Sequence, residues 1–430
     1  MKIFILLSLL ATLALAQPGL CPEERVPYAV PEDLFWDLTF TELSVTDWDI
    51  PSSVATFVLP DSDYLYVSCG RWGLMIWNIS DPTDPYMVSH ADGDGGEDST
   101  IYGTLREFDL YQDTLLVGVT PIHTYSWSGI VIVNVADETN PEVVSFCELR
   151  GHPNRAFAED GYAYTVWHEN SGASILGPNG LVIFDIHDPE HPFIVDTIET
   201  TIGDFSIGLW YSDGYAYVVE AQASTASFYI IDVRDPYDAE IVYWQTYSGC
   251  RSAVAVGDYL WVLGIHDFTV YDITDRTAPV EIMTDDFYPH YCTTLDYPYI
   301  YCSTGAGVVV LDISVPASSY IAGFQAVEAC YNAAASDSIL YASGWYDLYI
   351  YKMTDTGIEE EPTKPDDYSI SAYPNPFNSA VTNFFDCQSR NIGNPEIEIF
   401  DINGRMVERI PPRRVQVPAP LIKPKGGGII

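Results

Sequence analysis

Basic side chains are scarce. The chain has 430 residues, and only 18 are Lys or Arg against 61 Asp and Glu, a formal net charge of -43. So strong an anionic field repels phosphate backbones and anionic headgroups, which excludes nucleic acid as a natural partner. Cysteine is sparse too. Eight residues are too few for a disulfide scaffold, and none shows the C-x-x-C spacing of a zinc or redox site, so they read as buried or paired structural groups. Apolar runs long enough to span a membrane are lacking after the first residues. The start, MKIFILLSLLATLALAQPG, has Lys2, a short apolar run and Ala14-Leu15-Ala16, which predicts a signal peptide over 1–16 and then an N-terminal segment, 17–36. Leu20 precedes Cys21 where a lipoprotein signal needs a small residue, so the expectation is a secreted or outer-surface protein without a lipid anchor. Sustained helical spacing is missing, as are G-x-S-x-G, H-E-x-x-H, P-loop and dinucleotide fingerprints.

Apolar and aromatic residues are abundant, at 47% and 14% of the chain, and they are arranged in a repeat. An apolar run ending in Asp or Asn recurs as LMIWNISDPTDP at 74, IVIVNVADETNP at 130, LVIFDIHDPEHP at 181 and FYIIDVRDPYDA at 228. It returns as FTVYDITDRTAP at 268, VVVLDISVPAS at 308 and LYIYKMTDTG at 348. The reference positions Asn78, Asn134, Asp185, Asp232, Asp272, Asp312 and Lys352 are 56, 51, 47, 40, 40 and 40 residues apart. A period near 40 with early insertions signals a propeller or solenoid. A Tyr-rich run precedes each copy, as in DYLYVSCG at 63 and GYAYVVEA at 214. Weaker strands flank the pair, as in SAVAVG at 252 and EIVYWQTY at 240, making four short strands per unit. An all-β fold is therefore expected, a seven-bladed β-propeller over 37–356 followed by a small immunoglobulin-like β domain. The seventh copy has no fourth strand, and DLTFTEL at 37 to 43 is an orphan that could complete it and remove the open edge.

These units resemble the LVIVD repeat family. The resemblance rests on Gly161-Tyr162-Ala163-Tyr164 with Leu181 to Pro189, and on Gly214-Tyr215-Ala216-Tyr217 with Ile230 to Pro236. It implies a β-propeller in secreted or surface proteins and carries over no catalytic residues. After a linker at 357–368, residues 369–410 resemble the C-terminal sorting domain of type IX secretion substrates. Tyr373-Pro374-Asn375-Pro376-Phe377-Asn378 and Ile399-Phe400-Asp401-Ile402-Asn403-Gly404-Arg405 carry that likeness. It implies an immunoglobulin-like sandwich and the secretion machinery as a partner. The pattern departs after Ile410. A basic Pro/Gly-rich tail at 411–430 replaces the further strands, so the domain reads as truncated.

Candidate chemistry is thin. DGDGGED supplies Asp92, Asp94, Glu97 and Asp98, which resemble the first positions of a calcium loop, but Gly103 stands where the last ligand belongs. A solvated acidic turn is the alternative, and no other cofactor is expected. Register from the Tyr-rich runs puts Glu107, Arg155, Gly208, Ser252, His290 and Asn332 at the start of successive innermost strands, a polar ring at one channel mouth. There Glu107 and His290 could act as acid and base, with Arg155 binding an anion. Insertions at 90–104, 120–129 and 168–180 carry His123, Tyr125, Trp127, His168, Glu169 and Asn170, aromatic and hydrogen-bonding groups suited to a glycan or peptide. Cys292 and Cys302, five residues either side of Tyr297, are a candidate cross-strand disulfide. The expected function is a monomeric, non-enzymatic binding scaffold for a surface glycan or protein. The alternatives are a hydrolase or lyase at the channel mouth, or a structural surface protein.

Overall fold

The computed structural model describes residues 37–47, 55–69, 73–91, 105–120, 128–168, 179–200, 205–221, 226–247, 249–286, 292–344 and 347–355, and four C-terminal strands between 368 and 410. The chain divides into two units, Met1–Thr356 and Gly357–Ile430. In the second, Tyr368–Pro374 pairs with Val381–Cys387 and Ile397–Phe400 with Met406–Ile410. The expected signal peptide, the expected linker up to residue 367 and the basic tail lie outside the described residues.

The first unit is a seven-bladed propeller of four-stranded antiparallel sheets. Blade 1 sets the pattern, with Phe57–Asp61, Tyr64–Ser68, Leu74–Asn78 and Tyr86–Ala91 running from the channel outward. The inner strands of blades 2 to 7 are Phe108–Tyr111, His152–Glu159, Phe205–Ser212, Ser252–Val256, Cys292–Asp296 and Asn332–Ser336. Blade 7 draws its outer strand from the beginning of the chain. Leu38–Asp47 pairs antiparallel with Asp347–Asp355, from Leu38 opposite Asp355 to Asp47 opposite Asp347. The orphan strand thus does what the repeat count requires, and it runs further than residue 43.

Alternation of side chains along each strand explains why the third strands read as unbroken apolar runs. In blade 1, Leu65, Val67, Met75 and Trp77 pack against Tyr341, Leu348 and Ile350 of blade 7. Tyr66, Leu74 and Ile76 face the other way, onto Leu116, Val131 and Val133 of blade 2. Corresponding clusters join every further pair of neighbours around the ring. Both faces of every blade are therefore core.

The recurring Asp or Asn is a turn device. Asp185, Asp232, Asp272 and Asp312 each accept the backbone N–H two residues on, at 3.0, 3.1, 2.9 and 2.8 Å. Asp81, Asp137, Asp188, Asp235 and Asp275 repeat this one step later in the turn. Side-chain capping of that kind reproduces a backbone turn. Blade 6 has Val315 at that place and turns instead through the short 3₁₀ segment Pro316–Ser318. Gly180 leads the third strand of blade 3 at a φ of +149°, where a Cβ would lie 2.0 Å from the Ile198 carbonyl oxygen. That close approach requires glycine.

Each outer strand carries a bulge at the same place, for example between Glu42 and Ser44 and opposite Ile76/Trp77. In three blades the residue after it is a serine that bonds the next blade's turn. Ser44, Ser89 and Ser145 donate to the carbonyls of Pro82, Glu138 and Pro189 at 2.9, 2.6 and 2.5 Å.

Leu38 is 4% exposed and packs with Tyr301, Val308 and Val310 of blade 6. Leu38→Ala should cost about 2–4 kcal/mol in denaturant unfolding, whereas Val45→Ala, at a site 44% exposed, should cost under about 0.5 kcal/mol. Equal small losses would mean that the first strand does not close the ring.

Candidate functional site

Antiparallel order gives the ring two unlike faces. One carries the tight turns between first and second strands and the Asp-Pro turns; we call it the turn face. The other, the loop face, receives the connections from second to third strand and from each blade to the next. The strands joined by 92–104, 121–127 and 169–178 all end on the loop face. The three insertions therefore belong to one side of blades 1 to 3.

Described polar groups gather near this face, where blades 2 and 3 meet the channel. Arg155 Nε lies 3.3 Å from Glu107 Oε2. Its Nη2 donates to the Thr293 carbonyl at 3.2 Å, so this side chain bridges blade 3 to blade 6 across the channel. Phe157 and Trp210, further along their strands, form an aromatic platform, with the Arg155 Cζ 5.0 and 5.7 Å from their ring centres. Trp210 Nε1 is anchored on the Ala255 carbonyl at 3.0 Å. Arg106 donates to Asn154 Oδ1 at 2.8 Å. Beside them His152 and His168 stack, 5.1 Å apart and 19° from parallel.

Electrostatics follow from burial. Desolvation raises the Glu107 carboxyl above its ordinary range, although Arg155 and Arg106 oppose the shift. Asp109 is pushed up to about 6 by burial, despite backbone N–H bonds from Ala158 and Leu110. His168 is driven down to about 3 by burial, then by His152 and Arg106, so its ring is neutral at physiological pH.

The expected ring is only partly assembled. Glu107 and Arg155 meet. Asn332 is wholly buried, its Oδ1 accepting the Val58 N–H of blade 1 at 3.0 Å, so it stitches blades 7 and 1. Ser252 is 5% exposed at the head of its strand. Gly208 brings no side chain to the ring and packs closely on blade 5, where a Cβ would lie 3.1 Å from the Arg251 carbonyl oxygen. In blade 6 the register matching Ser252 opposite Leu263 and Asn332 opposite Ser343 gives Cys292 opposite Ser303. The ring position there is thus Cys292. His290 lies outside the described residues, as do Asp92, Asp94, Glu97, Asp98, His123, Tyr125, Trp127, Glu169 and Asn170. Cys302 pairs with Thr293, one step out of line with Cys292. The hairpin turns on two residues, Tyr297 and Pro298, so its centre falls between them and not on Tyr297. Arg106, Asn154, His152 and the Phe157–Trp210 platform were missed. Only the early Arg106-Glu107 pair, in a chain poor in arginine, hinted at them.

The LVIVD repeat model matches residues 61–92 and 175–200. No protein of curated function matches the chain in sequence. Among solved structures, the periplasmic gluconolactonase PpgL of Pseudomonas aeruginosa is 12% identical, with a TM-score of 0.50 over 65% of this chain and 86% of that one. The computationally designed Ika8 protein is 8% identical, with a TM-score of 0.50 over 73% of this chain and 99% of its own. A functionally unknown protein from Desulfotomaculum acetoxidans is 13% identical, with a TM-score of 0.49 over 63% and 84%. At such identities the likeness is one of fold.

The pKa directions predict a pH profile. Asp109 binds its proton more tightly folded than unfolded, so its contribution to stability is fully present below about 4 and is lost as pH rises through about 6. Asp81 and Asp275, held low by the Thr83 and Thr277 hydroxyls, have the opposite sign. Their contribution is fully present above the ordinary carboxylate range and is lost as pH falls below it, through their lowered folded values. The stability difference between wild type and Asp109→Asn should therefore shift in favour of wild type as pH drops from about 7 to about 4. A difference independent of pH would show that Asp109 is not held in its acid form.

Proposed function

We propose that this propeller is an exported recognition scaffold that binds a glycan or peptide on its loop face and performs no chemistry of its own. One observation carries the reading: the described strands that the insertions of blades 1 to 3 join all end on the loop face, the face at which the inner strands carrying Arg106, Glu107 and Arg155 begin. Most of the recurrent acids are spent on the other face as turn acceptors, as at Asp185 and Asp272, and serve the fold. Rigid sheets with lengthened loops on one side are the usual way a scaffold presents a recognition surface.

A hydrolase or lyase is the second reading. Burial biases Glu107 toward the protonated form that a general acid needs. Its tether to Arg155 argues for a structural or binding role instead. The lactone chemistry of the Pseudomonas protein belongs to that protein, since 12% identity reaches no further than fold. For the C-terminal unit, the proposal is a sorting domain serving export. Calcium held by Asp92, Asp94, Glu97 and Asp98 is likewise proposed, on the carboxylates that the sequence brings together there. No helix among the described residues is long and apolar enough to cross a membrane.

Glycan and peptide arrays probed with the full chain should return a saccharide or peptide class. Tyr125→Ala/Trp127→Ala should then lower affinity for it at least tenfold, about 1.4 kcal/mol, with the melting temperature unchanged. Turnover of an array hit, lost in Glu107→Gln, would favour the enzyme instead.

A further inference from the structure

A buried guanidinium ordinarily spends its donors. Arg155 does not. Its side chain is nine-tenths buried, at 9% exposed, and its single hydrogen bond among the described residues is from Nη2 to Thr293. The contact with Glu107 is an ion pair at 3.3 Å in which Glu107 Oε2 accepts no hydrogen bond. Nη1 has no acceptor among the described residues. Phe157 and Trp210 cover one side of the group. They lie further along strands that start at the loop face, so Arg155 stands nearer that face than its aromatic cover. Arg155 also reaches across to blade 6, so a ligand coming from the loop face meets it as a floor.

Charge placement agrees. Residues 37–356 hold only eight Lys and Arg. Among the described residues, Arg106, Arg150, Arg155 and Arg251 belong to loop-face connections or to the inner strands they lead into, while Arg234, Arg276 and Lys352 sit at the turn-face ends of their blades. Arg106 and Arg155 thus place cationic groups at the loop-face mouth of a protein with net charge -43.

We infer that Arg155 anchors the carboxylate of an acidic saccharide, a uronate, entering the channel mouth from the loop face. The inference rests on the recognition role proposed above and narrows its ligand class. A planar carboxylate can take two parallel N–H bonds from a guanidinium. A dianionic phosphate would pay about twice as much against the surrounding anionic field. The sugar's hydroxyls would lie among hydrogen-bonding groups, Asn154 and His152, at the same mouth.

Calorimetry on the full chain with a galacturonic acid trisaccharide and a neutral galactose trisaccharide tests this. The acidic sugar should bind at least tenfold more tightly, and Arg155→Met should abolish the preference. Glu107→Gln removes the competing carboxylate and should tighten uronate binding several-fold. That variant decides the matter if Arg155→Met fails to fold. Equal binding of the two sugars, no binding of either, or a preference that persists in Arg155→Met would overturn the anchor and leave its donors to ordered water. Array ligands that depend on Tyr125 and Trp127 but not on Arg155 would preserve the scaffold role while removing the uronate.

Discussion

No blade of this protein can stand alone, because each sheet is apolar on both faces and must be covered by a neighbour on either side. That constraint governs everything else. Seven blades satisfy it only if the last meets the first, and the clusters that join Leu65 and Met75 to Leu348 and Ile350 show that they do. Pairing Leu38–Asp47 with Asp347–Asp355 then locks the ring with strands from the two ends of the propeller. An array left open there would expose a sheet edge and an apolar face together.

Closure assigns the remaining chemistry. Side chains on the blade faces are fixed by packing, and those at the turn face by turn geometry, as the Asp185 and Asp272 acceptors illustrate. Lateral bonds such as Ser68 Oγ to the Leu105 carbonyl at 2.7 Å and Thr294 Oγ1 to the Ala333 carbonyl at 2.6 Å hold neighbouring blades near the channel. Only the loop face and the channel mouth are free to vary without breaking the ring. There lie the strand ends that the insertions join and the Arg155 guanidinium.

The architecture was legible because its signal is periodic. Repeated apolar runs before Asp185 and Asp232, with a Tyr-rich run ahead of each, fix strand order, blade number and the orphan strand. What escaped depends on single-residue offsets or on contacts between distant blades. The expected alignment of Cys292 with Cys302 failed by one position, because a two-residue turn replaces a one-residue centre. The serines at 44, 89 and 145 look like ordinary strand residues until the shared bulge turns each toward the next blade. That Arg155 spans the channel to Thr293, 138 residues away, has no local signature at all.

Hydrogen–deuterium exchange of the full chain, with and without the galacturonic acid trisaccharide, tests most directly whether one face carries function and the other structure. Peptides covering 105–110, 121–127 and 152–159 should gain protection, while the Asp-Pro turns at 185–192, 232–238 and 272–278 stay unchanged. Protection centred on those turns instead would contradict the division of labour between the two faces.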